Sequence, residues 1–390
     1  MKKICFITGT RAEYGLLSPL IRAIEADSDF EIQIIATGTH LSPEFGLTYK
    51  EIEKDGFEIS EKVEMLLSSD SDTGIIKSTG LGMIGFADAF NRLKPYLVVL
   101  LGDRFETFAA ATAAYLTKIP IAHLHGGETT EGATDEALRH SITKMAYLHF
   151  TSTESYRNRV IQLGESPERV FNVGAIGLDN IKKSDLVDKS WLENDLKFDL
   201  NLPFLLITYH PVTLENNSAE RQLSVLLRVL DEFSNLRLIF TKPNADANGR
   251  IIIKLIDEYV LKNSHKAIAF TSLGQRRYLS LMQFTKAVVG NSSSGIIEAP
   301  SFGIPTVNIG DRQKGRISAE SVIYSSDEGH SIRSTIKEAI SNEFQSFCKT
   351  VNNIYGDGNT TEKIIEILKN SKLINLKKSF YDITEVNGKI

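Results

Sequence analysis

Acidic and imidazole side chains follow two consecutive apolar runs in the first third of the chain. The run 96–101 leads into Asp103, and the run 119–124 leads into a loop that carries further acids and imidazoles. Such runs predict strands buried on both faces of a parallel sheet, whose carboxyl ends hold the ligand in open α/β folds. Two such ends side by side would gather Asp103, His125, Glu128, Asp135 and Glu136. This set is suited to general acid and base catalysis.

Polar residues near position 290 are suited to binding a diphosphate. A short apolar strand over 287–290 opens onto Asn291 and a predicted helix, so N–H and O–H groups would converge at its positive end. Arg312 and Arg316 could make bidentate contacts with the same oxygens, and Glu298 could accept both hydroxyls of a ribose. A simple helix N-cap is the alternative, because hydroxyl side chains also cap helices. The helix-start residues in this set are Ser292, Ser293, Ser294 and Gly295.

The chain begins with a strand, a glycine turn and a helix. Residues 4–8 are strand-like, and residues 9–15 turn into a helix with an apolar face. The helix start would offer unpaired amides to an anion, and Arg11 would add a positive charge. Residues 80–85 match a dinucleotide-binding pattern, but no strand precedes them, so we interpret these glycines as helix packing.

Strand and helix patterns alternate along the chain, which predicts two α/β domains. The first is predicted over 1–178 and the second over 179–369, with a charged, aperiodic segment over 181–201 at the crossing. A chain of 390 residues is long enough for two domains of ordinary size.

Composition argues against several classes of partner. A net charge of -5 provides no basic field for nucleic acid or anionic lipid, and no apolar run approaches the length of a membrane helix. Only Cys5 and Cys348 are present and no secretory signal begins the chain, so we expect a cytoplasmic protein. No cluster of His, Cys and Asp has metal-ligand spacing. We therefore expect no metal, no cofactor, no nucleic acid and no membrane as partner.

Several motifs, taken together and in order, resemble the hydrolysing UDP-N-acetylglucosamine 2-epimerases of sialic-acid-type biosynthesis. They lie at 9–14, 102–106, 123–128, 139–140, 210–213, 290–295, 310–316 and 355–359. The resemblance implies two Rossmann-like domains in a GT-B arrangement, with the active site in the cleft between them. It also implies that a C-terminal helix, placed at 370–390, completes the first domain. The expected partners are a UDP-sugar and water, and the expected assembly is a homodimer or homotetramer.

Roles carry over from the family to matching residues. Ser292, Ser293 and Arg312 match positions that hold the diphosphate, Glu298 matches the ribose-binding glutamate, and Arg11 matches the arginine of the first glycine turn. The matches to family catalytic positions are Asp103, Asp135 and His210. Further residues predicted to bind substrate or nucleotide are Arg104, Asn244, Leu273 and Gly274.

One residue departs from the family pattern. Characterised members that this chain resembles have Glu-Gly-Gly-Glu in this loop, and their first glutamate is implicated in proton transfer. This chain has His125 in place of that first glutamate and retains Glu128. The transfer therefore falls to His125, Glu128 or Asp135. The departure also leaves the sugar open between UDP-GlcNAc and UDP-2,4-diacetamido-2,4,6-trideoxyglucose or its GDP form.

The reaction that fits is an elimination to a 2-acetamidoglycal, followed by addition of water with inversion at C2. Asp103 or Glu128 would lie near C2, His125 or Asp135 would donate the proton for hydration, and His210 would contact the sugar or diphosphate. The free manno-configured sugar would enter sialic or legionaminic acid synthesis. The alternatives are a non-hydrolysing epimerase, a GT-B glycosyltransferase and an inactive nucleotide-sugar sensor, for which the histidine substitution is the one supporting feature.

Two nearby features have structural interpretations. His123 is interpreted as a hydrogen-bonded core histidine rather than a catalyst. Arg139 and His140, on a predicted helix, could equally form a salt-bridged structural pair.

Overall fold

The computed structural model describes residues 1–67, 71–131, 134–183, 185–212, 218–243, 249–371 and 376–383. Asn244 and Thr213, which belong to predicted binding motifs, lie outside these residues. The chain forms two compact units. Unit 1 comprises Met1–Glu128, Asp135–Asp179 and Tyr355–Ile390, and unit 2 comprises Thr129–Thr134 and Asn180–Ile354.

Unit 1 contains a seven-stranded sheet in the order β3-β2-β1-β4-β5-β6-β7, and all neighbouring strands are parallel. Its strands are β1 (Lys2–Thr8), β2 (Phe30–Thr37), β3 (Glu61–Val63), β4 (Leu97–Leu101), β5 (Ile121–Leu124), β6 (Leu148–Thr151) and β7 (Val170–Asn172). Its helices are α1 (Arg11–Glu25), α2 (Tyr49–Lys54), α3 (Asp72–Leu93), α4 (Phe105–Leu116), α5 (Asp135–Met145), α6 (Glu154–Gln162) and α7 (Gly177–Lys183), the last of which runs into unit 2.

The central strand β4 is buried on both faces, as its apolar sequence predicts. Leu97, Val99 and Leu101 pack into one apolar cluster, and Val98 and Leu100 pack into the cluster on the opposite face. Successive strand residues point to opposite faces, so helices must cover both sides of this sheet. Polar side chains that follow β4 are therefore placed at its carboxyl edge.

Unit 2 contains a six-stranded parallel sheet in the order β10-β9-β8-β11-β12-β13. Its strands are β8 (Phe204–Thr208), β9 (Arg237–Thr241), β10 (Ala267–Phe270), β11 (Ala287–Gly290), β12 (Thr306–Ile309) and β13 (Val322–Ser325). Its helices are α8 (Lys189–Leu196), α9 (Ala219–Asp231), α10 (Gly249–Lys262), α11 (Gly274–Met282), α12 (Ser293–Ile297), α13 (Gly329–Ala339) and α14 (Asn342–Cys348). The prediction of two parallel α/β domains is confirmed.

Of the glycines in 80–85, Gly82 and Gly85 serve helix packing as interpreted from the sequence, whereas a Cβ at Gly80 would meet nothing within 4 Å among the described residues. A Cβ atom at Gly82 would lie 2.7 Å from the Met65 Cε atom, and one at Gly85 would lie 2.7 Å from a Val63 methyl group. Among the described residues, no helix combines the length and the apolar character needed to cross a bilayer.

The chain returns to unit 1 before the point predicted from the sequence. Helix α15 (Thr360–Asn370) belongs to unit 1, so a helix does return to this unit, but it ends where the helix predicted over 370–390 begins, and the described residues 376–383 form no helix. The buried Asp179 carboxylate accepts the backbone N–H groups of Thr360 (2.9 Å) and Thr361 (2.6 Å). A carboxylate at a helix N-terminus satisfies free amides and favours the helix dipole, so Asp179 sets where α15 begins.

Beyond α15, the C-terminal segment 376–383 binds unit 1 through a buried acid. Lys378 Nζ donates to the carbonyl oxygens of Lys144 (2.8 Å) and Ala146 (2.6 Å) at the end of α5, and to Glu165 Oε2 (2.8 Å). Burial opposes ionisation of Glu165, but hydrogen bonds from His149, Lys144 and Lys378 lower its pKa to about 2. The segment therefore stabilises the helix that carries Asp135 and Arg139.

Replacing Lys378 with methionine should lower the free energy of unfolding by about 1–3 kcal/mol, because a buried carboxylate and two carbonyls lose a donor. Urea unfolding at neutral pH measures the change, with the exposed Lys50→Met as the matched control. Equal unfolding midpoints for the two variants would show that the Lys378 hydrogen bonds contribute nothing to stability.

Candidate active site

The register of the unit 1 sheet brings the two predicted strand ends together. Leu101 pairs with Leu124, and Gly102 N donates to Leu124 O at 3.1 Å. Asp103 and His125, each just beyond one of these strands, therefore lie at the same carboxyl edge. The sequence predicted this gathering, and the register explains it.

Both ring nitrogens of His125 have protein partners. Its Nδ1 lies 2.8 Å from Glu128 Oε1, and its Nε2 accepts the Ile176 N–H at 3.3 Å. An amide N–H can only donate, so Nε2 carries no proton and Nδ1 is assigned as the donor to Glu128. The imidazole would have to leave Ile176 before it could accept a proton. His125 is thus arranged to orient Glu128.

Glu128 is buried, and its Oε1 atom lies within hydrogen-bond distance of His125 and Ser152. Its side chain is 3% exposed, and Ser152 Oγ donates to Oε1 at 2.6 Å beside the His125 contact. The residue His125 itself has a φ of +64°, in the left-handed region that non-glycine residues rarely adopt. Backbone strain of this kind persists where the surroundings enforce it. The loop therefore fixes the Glu128 carboxylate in one orientation.

Asp103 is paired with a buried arginine from α5. Arg139 Nη2 donates to Asp103 Oδ2, while its Nη1 donates to Glu128 O (2.7 Å) and Glu136 Oε2 (2.9 Å). His140 Nε2 lies 3.2 Å from the other oxygen of Glu136. Arg139 and His140 thus both pair with Glu136, but Arg139 also reaches a predicted catalytic residue. Sequence reasoning missed this link, because a 36-residue separation leaves no local signal.

Asp135 and His123 occupy different environments. Asp135 is the first residue of α5 and is partly exposed. His123 is fully buried, with Nε2 2.7 Å from Gly102 O and Nδ1 3.2 Å from Thr143 Oγ. Burial lowers the pKa of His123 to about 3, so this imidazole is neutral. The interpretation of His123 as a core histidine is confirmed.

The first glycine turn differs from the prediction. Gly9 N and Thr10 N donate to Glu13 Oε2 at 2.7 and 3.1 Å, and Thr10 Oγ accepts the Glu13 N–H in a capping box. The amides of Gly9, Thr10 and Glu13 are therefore occupied by side chains of the turn and the helix, and the binding of an anion at this helix start beside Arg11 stays a prediction. Burial and the neighbouring Glu106 raise the pKa of Glu13 to about 7.

The predicted arginines of unit 1 pair with carboxylates. Arg11 Nη1 lies 2.8 Å from Glu51 Oε1, and Arg104 Nε lies 3.3 Å from the buried Glu106. Neither interaction uses all the donors of a guanidinium.

In unit 2, Asn291 joins the ends of β8 and β11. Its Oδ1 accepts the His210 N–H at 2.7 Å, and its Nδ2 donates to His210 O at 2.8 Å. Arg312 Nη1 and Gln313 Nε2 both donate to Asn291 O, at 3.0 and 3.1 Å. His210, through its backbone, and Arg312, through its guanidinium, therefore both contact Asn291.

The serine-rich turn is an N-cap as well as a candidate phosphate site. Ser292 is the N-cap of α12, and its hydroxyl accepts the Ser294 N–H. Gly295 packs against β12, since a Cβ there would lie 2.6 Å from a Thr306 methyl group. The N-cap alternative and the binding prediction are thus compatible, because a capping hydroxyl keeps other hydrogen-bonding capacity.

The remaining predicted residues of unit 2 lie at strand or helix ends. Leu273 packs its side chain into the core, so only its backbone could contact a nucleotide, and Gly274 N donates to Ser272 Oγ at 3.1 Å. Arg316 is buried in the loop after β12. Among the described residues, no group of three or more His, Cys, Asp or Glu side chains is placed to hold a metal ion.

Glu298 is buried beneath the serine-rich turn. Ser294 Oγ donates to Glu298 Oε2, and burial raises the pKa of Glu298 to about 7. The carboxylate already binds one hydroxyl, which is the kind of group that a ribose would present. Ribose binding would use the ionised form.

The raised pKa of Glu298 predicts a pH dependence of stability. Its folded-state value of about 7 exceeds the ordinary 4.5, so stability is complete below 4.5 and falls as the pH rises through 7. Glu298→Gln should remove up to about 3 kcal/mol of that loss. Urea unfolding at about pH 5 and about pH 8 measures it, with the exposed Glu338→Gln as control. If the free energy of unfolding of Glu298→Gln fell between these two pH values as much as that of the wild type, the prediction would be contradicted.

Similarity to known proteins identifies the family. The family described as UDP-N-acetylglucosamine 2-epimerase matches residues 22–369, and this chain belongs to it. A Campylobacter jejuni protein named GDP/UDP-N,N'-diacetylbacillosamine 2-epimerase (hydrolyzing) is 47% identical over 98% of this chain and 99% of its own length. The Escherichia coli polysialic acid biosynthesis protein P7 is 38% identical over 99% of this chain and 98% of its own. The predicted family is confirmed.

Solved structures share the fold. The Neisseria meningitidis UDP-GlcNAc 2-epimerase bound to UDP-GlcNAc aligns with a TM-score of 0.79 at 20% identity, over 95% of this chain and 100% of that chain. The Listeria monocytogenes putative UDP-N-acetylglucosamine 2-epimerase aligns with a TM-score of 0.78 at 19% identity, over 94% and 96% of the two chains. The predicted fold class is therefore confirmed at the level of its two α/β domains.

Proposed function

We propose that this protein is a hydrolysing 2-epimerase that converts a UDP-linked 2-acetamido sugar into UDP and the free manno-configured sugar. The observation that carries the proposal is the pair of oriented carboxylates at the β4 and β5 ends, Asp103 and Glu128. Near full-length similarity to a relative named as a hydrolysing 2-epimerase supports it.

Departure of UDP is the first chemical step. The C1–O bond breaks with oxocarbenium character, and the bonding electrons leave with the diphosphate. The groups proposed to stabilise that charge are Ser292, Ser293, Arg312 and Arg316. Well-aimed donors of this kind are each worth about 3–4 kcal/mol of barrier. Glu298 is proposed to bind the ribose, and Arg11 and Arg104 to bind substrate.

Removal of the C2 proton completes the elimination and leaves a 2-acetamidoglycal. We assign Glu128 as the base, with His125 and Ser152 orienting its carboxylate. Asp103, held beside a guanidinium, is suited to remain an anion that faces the developing positive charge. Water then adds its oxygen to C1 and releases one proton to solvent, while a proton is delivered to C2 from the face opposite to Glu128. Asp135 is assigned as that donor, since inversion requires a second group.

The proposed substrate is UDP-2,4-diacetamido-2,4,6-trideoxyglucose, which is UDP-N,N'-diacetylbacillosamine. Relatives named for this sugar are 47% and 35% identical to the chain, whereas those named UDP-N-acetylglucosamine 2-epimerase are 24% to 32% identical. The product would then enter legionaminic-acid-type synthesis, while UDP-GlcNAc would yield N-acetylmannosamine. The cytoplasmic location and the homo-oligomeric assembly stay predictions.

The test is turnover in D₂O without an acceptor, comparing UDP-diacetylbacillosamine, its GDP form and UDP-GlcNAc. We expect UDP release and a free manno-configured sugar carrying deuterium at C2, fastest with UDP-diacetylbacillosamine. An epimer that retains UDP would indicate a non-hydrolysing epimerase. Turnover that requires an added sugar acceptor would indicate a glycosyltransferase, and binding of all three without turnover would indicate a sensor.

A further inference from the structure

We infer that Arg139 is a positioning residue of the proposed reaction, which holds Asp103 as an anion and ties it to the loop that carries Glu128. The inference rests on the proposed function, since it concerns how the same carboxylates are held. Arg139 acts through Asp103 and does not itself touch the substrate.

Arg139 is more deeply buried than Asp103, the carboxylate with which it pairs. The Arg139 side chain is 2% exposed, whereas the Asp103 side chain is 21% exposed. The guanidinium therefore lies behind Asp103, and the carboxylate keeps an edge open to ligand. A residue sealed in this way can influence the reaction only through its neighbours.

The contacts of Arg139 join three segments that are separate in the chain. Nη2 binds Asp103 after β4, and Nη1 binds both the Glu128 carbonyl oxygen after β5 (2.7 Å) and Glu136 on α5 (2.9 Å). The planar guanidinium presents donors in fixed directions, so these acceptors are set relative to one another. A lysine ammonium could replace the charge but not this geometry.

The charges around the ion pair define what its removal would change. Glu136 and His140 lie on α5, Arg104 follows Asp103 and pairs with Glu106, and His123 binds the Gly102 carbonyl oxygen. The His125–Glu128 pair lies on the loop after β5. Without Arg139, Asp103 and Glu136 would lose their shared cation. Their ionised forms would become less favourable, since an opposite charge favours ionisation.

The test compares pH profiles of kcat and KM for wild type, Arg139→Met and Arg139→Lys with the UDP-sugar. We expect Arg139→Met to lower kcat about 10²-fold with KM within about threefold, and to move the acid limb of kcat up by about 1 pH unit. Arg139→Lys should have a higher kcat than Arg139→Met, and its kcat should fall at the same acidic pH as that of the wild type. The matched control is Arg157→Met on α6, which loses hydrogen bonds to Val170 O and Glu154 and should keep wild-type kinetics.

A purely structural role would lower the yield or the melting temperature of Arg139→Met without moving the acid limb, and that result would overturn the inference. If Arg139→Met does not fold, Arg139→Lys is combined with Asp103→Asn. The lysine variant should lower kcat less in the Asp103→Asn background than in wild type, because the carboxylate it serves is gone. If Arg139→Lys lowered kcat by the same factor in the Asp103→Asn background as in the wild type, the inference would be overturned. Wild type that fails to hydrolyse any of the UDP-sugars would instead overturn the proposed function.

Discussion

Replacing Glu128 with glutamine is expected to lower kcat for UDP release by about 10³-fold, within the range for loss of a general base. Glutamine has the same shape, and its Oε1 can still accept from His125 Nδ1 and Ser152 Oγ, so the loop should keep its conformation. The variant replaces one carboxylate oxygen with an amide nitrogen and so removes the basicity of the side chain. Steady-state kinetics give kcat, and calorimetric titration with UDP should give a Kd within about threefold of wild type.

Two further variants separate the base from the residues that orient it. Ser152→Ala removes the hydroxyl that donates to Glu128 Oε1 and should cost about tenfold in kcat. His125→Phe keeps a ring but removes the N–H donor at this position, and we expect a loss between those of the serine and glutamate variants. If His125 were itself the base, its loss would equal or exceed that of Glu128→Gln. Wild-type turnover by Glu128→Gln would remove Glu128 from the mechanism.

Replacing Gly290 with alanine is expected to prevent unit 2 from folding. Gly290 has a φ of +135°, and a Cβ there would lie 1.9 Å from Thr208 O and 2.8 Å from Thr208 C. The contact is with backbone of the neighbouring strand β8, which pairs with β11 and also accepts the Asn291 N–H at 3.1 Å. Neither strand can move away without losing this pairing. The expected loss exceeds about 4 kcal/mol, a large share of the stability of a typical domain.

The matched control is Gly310→Ala, at the end of β12. Gly310 also has a positive φ, of +71°, but a Cβ there would meet nothing within 4 Å among the described residues. It should therefore cost only the conformational penalty of about 1 kcal/mol. Soluble yield and urea unfolding compare the two variants. Equal stability of Gly290→Ala and Gly310→Ala would show that strain, and not close approach of the strands, explains the glycine at 290.

The sequence by itself determined the parallel sheets, most of the strand ends and the family. Apolar runs such as 97–101 and 287–290 are local signals, because burial on both faces leaves no polar position within a strand. Parallel strands also place their carboxyl ends at one edge, which is why Asp103 and His125 could be predicted to meet. The family could be predicted because each of its motifs is a short stretch with characteristic residue types, and these motifs occur in the same order along the chain.

Only the tertiary structure decided which partner each polar side chain takes. Arg139 binds Asp103, which lies 36 residues away in the sequence, and His125 accepts from Ile176, which lies 51 residues away. Asp179 binds the Thr360 N–H at the start of α15, at a separation of 181 residues. These pairs depend on how helices and loops pack, and that packing cannot be predicted from composition or periodicity. Even the local contact of Glu13 with the first glycine turn depended on a side-chain conformation. Hydrogen-bond partners are chosen by distance in space, whereas sequence patterns report only neighbours along the chain.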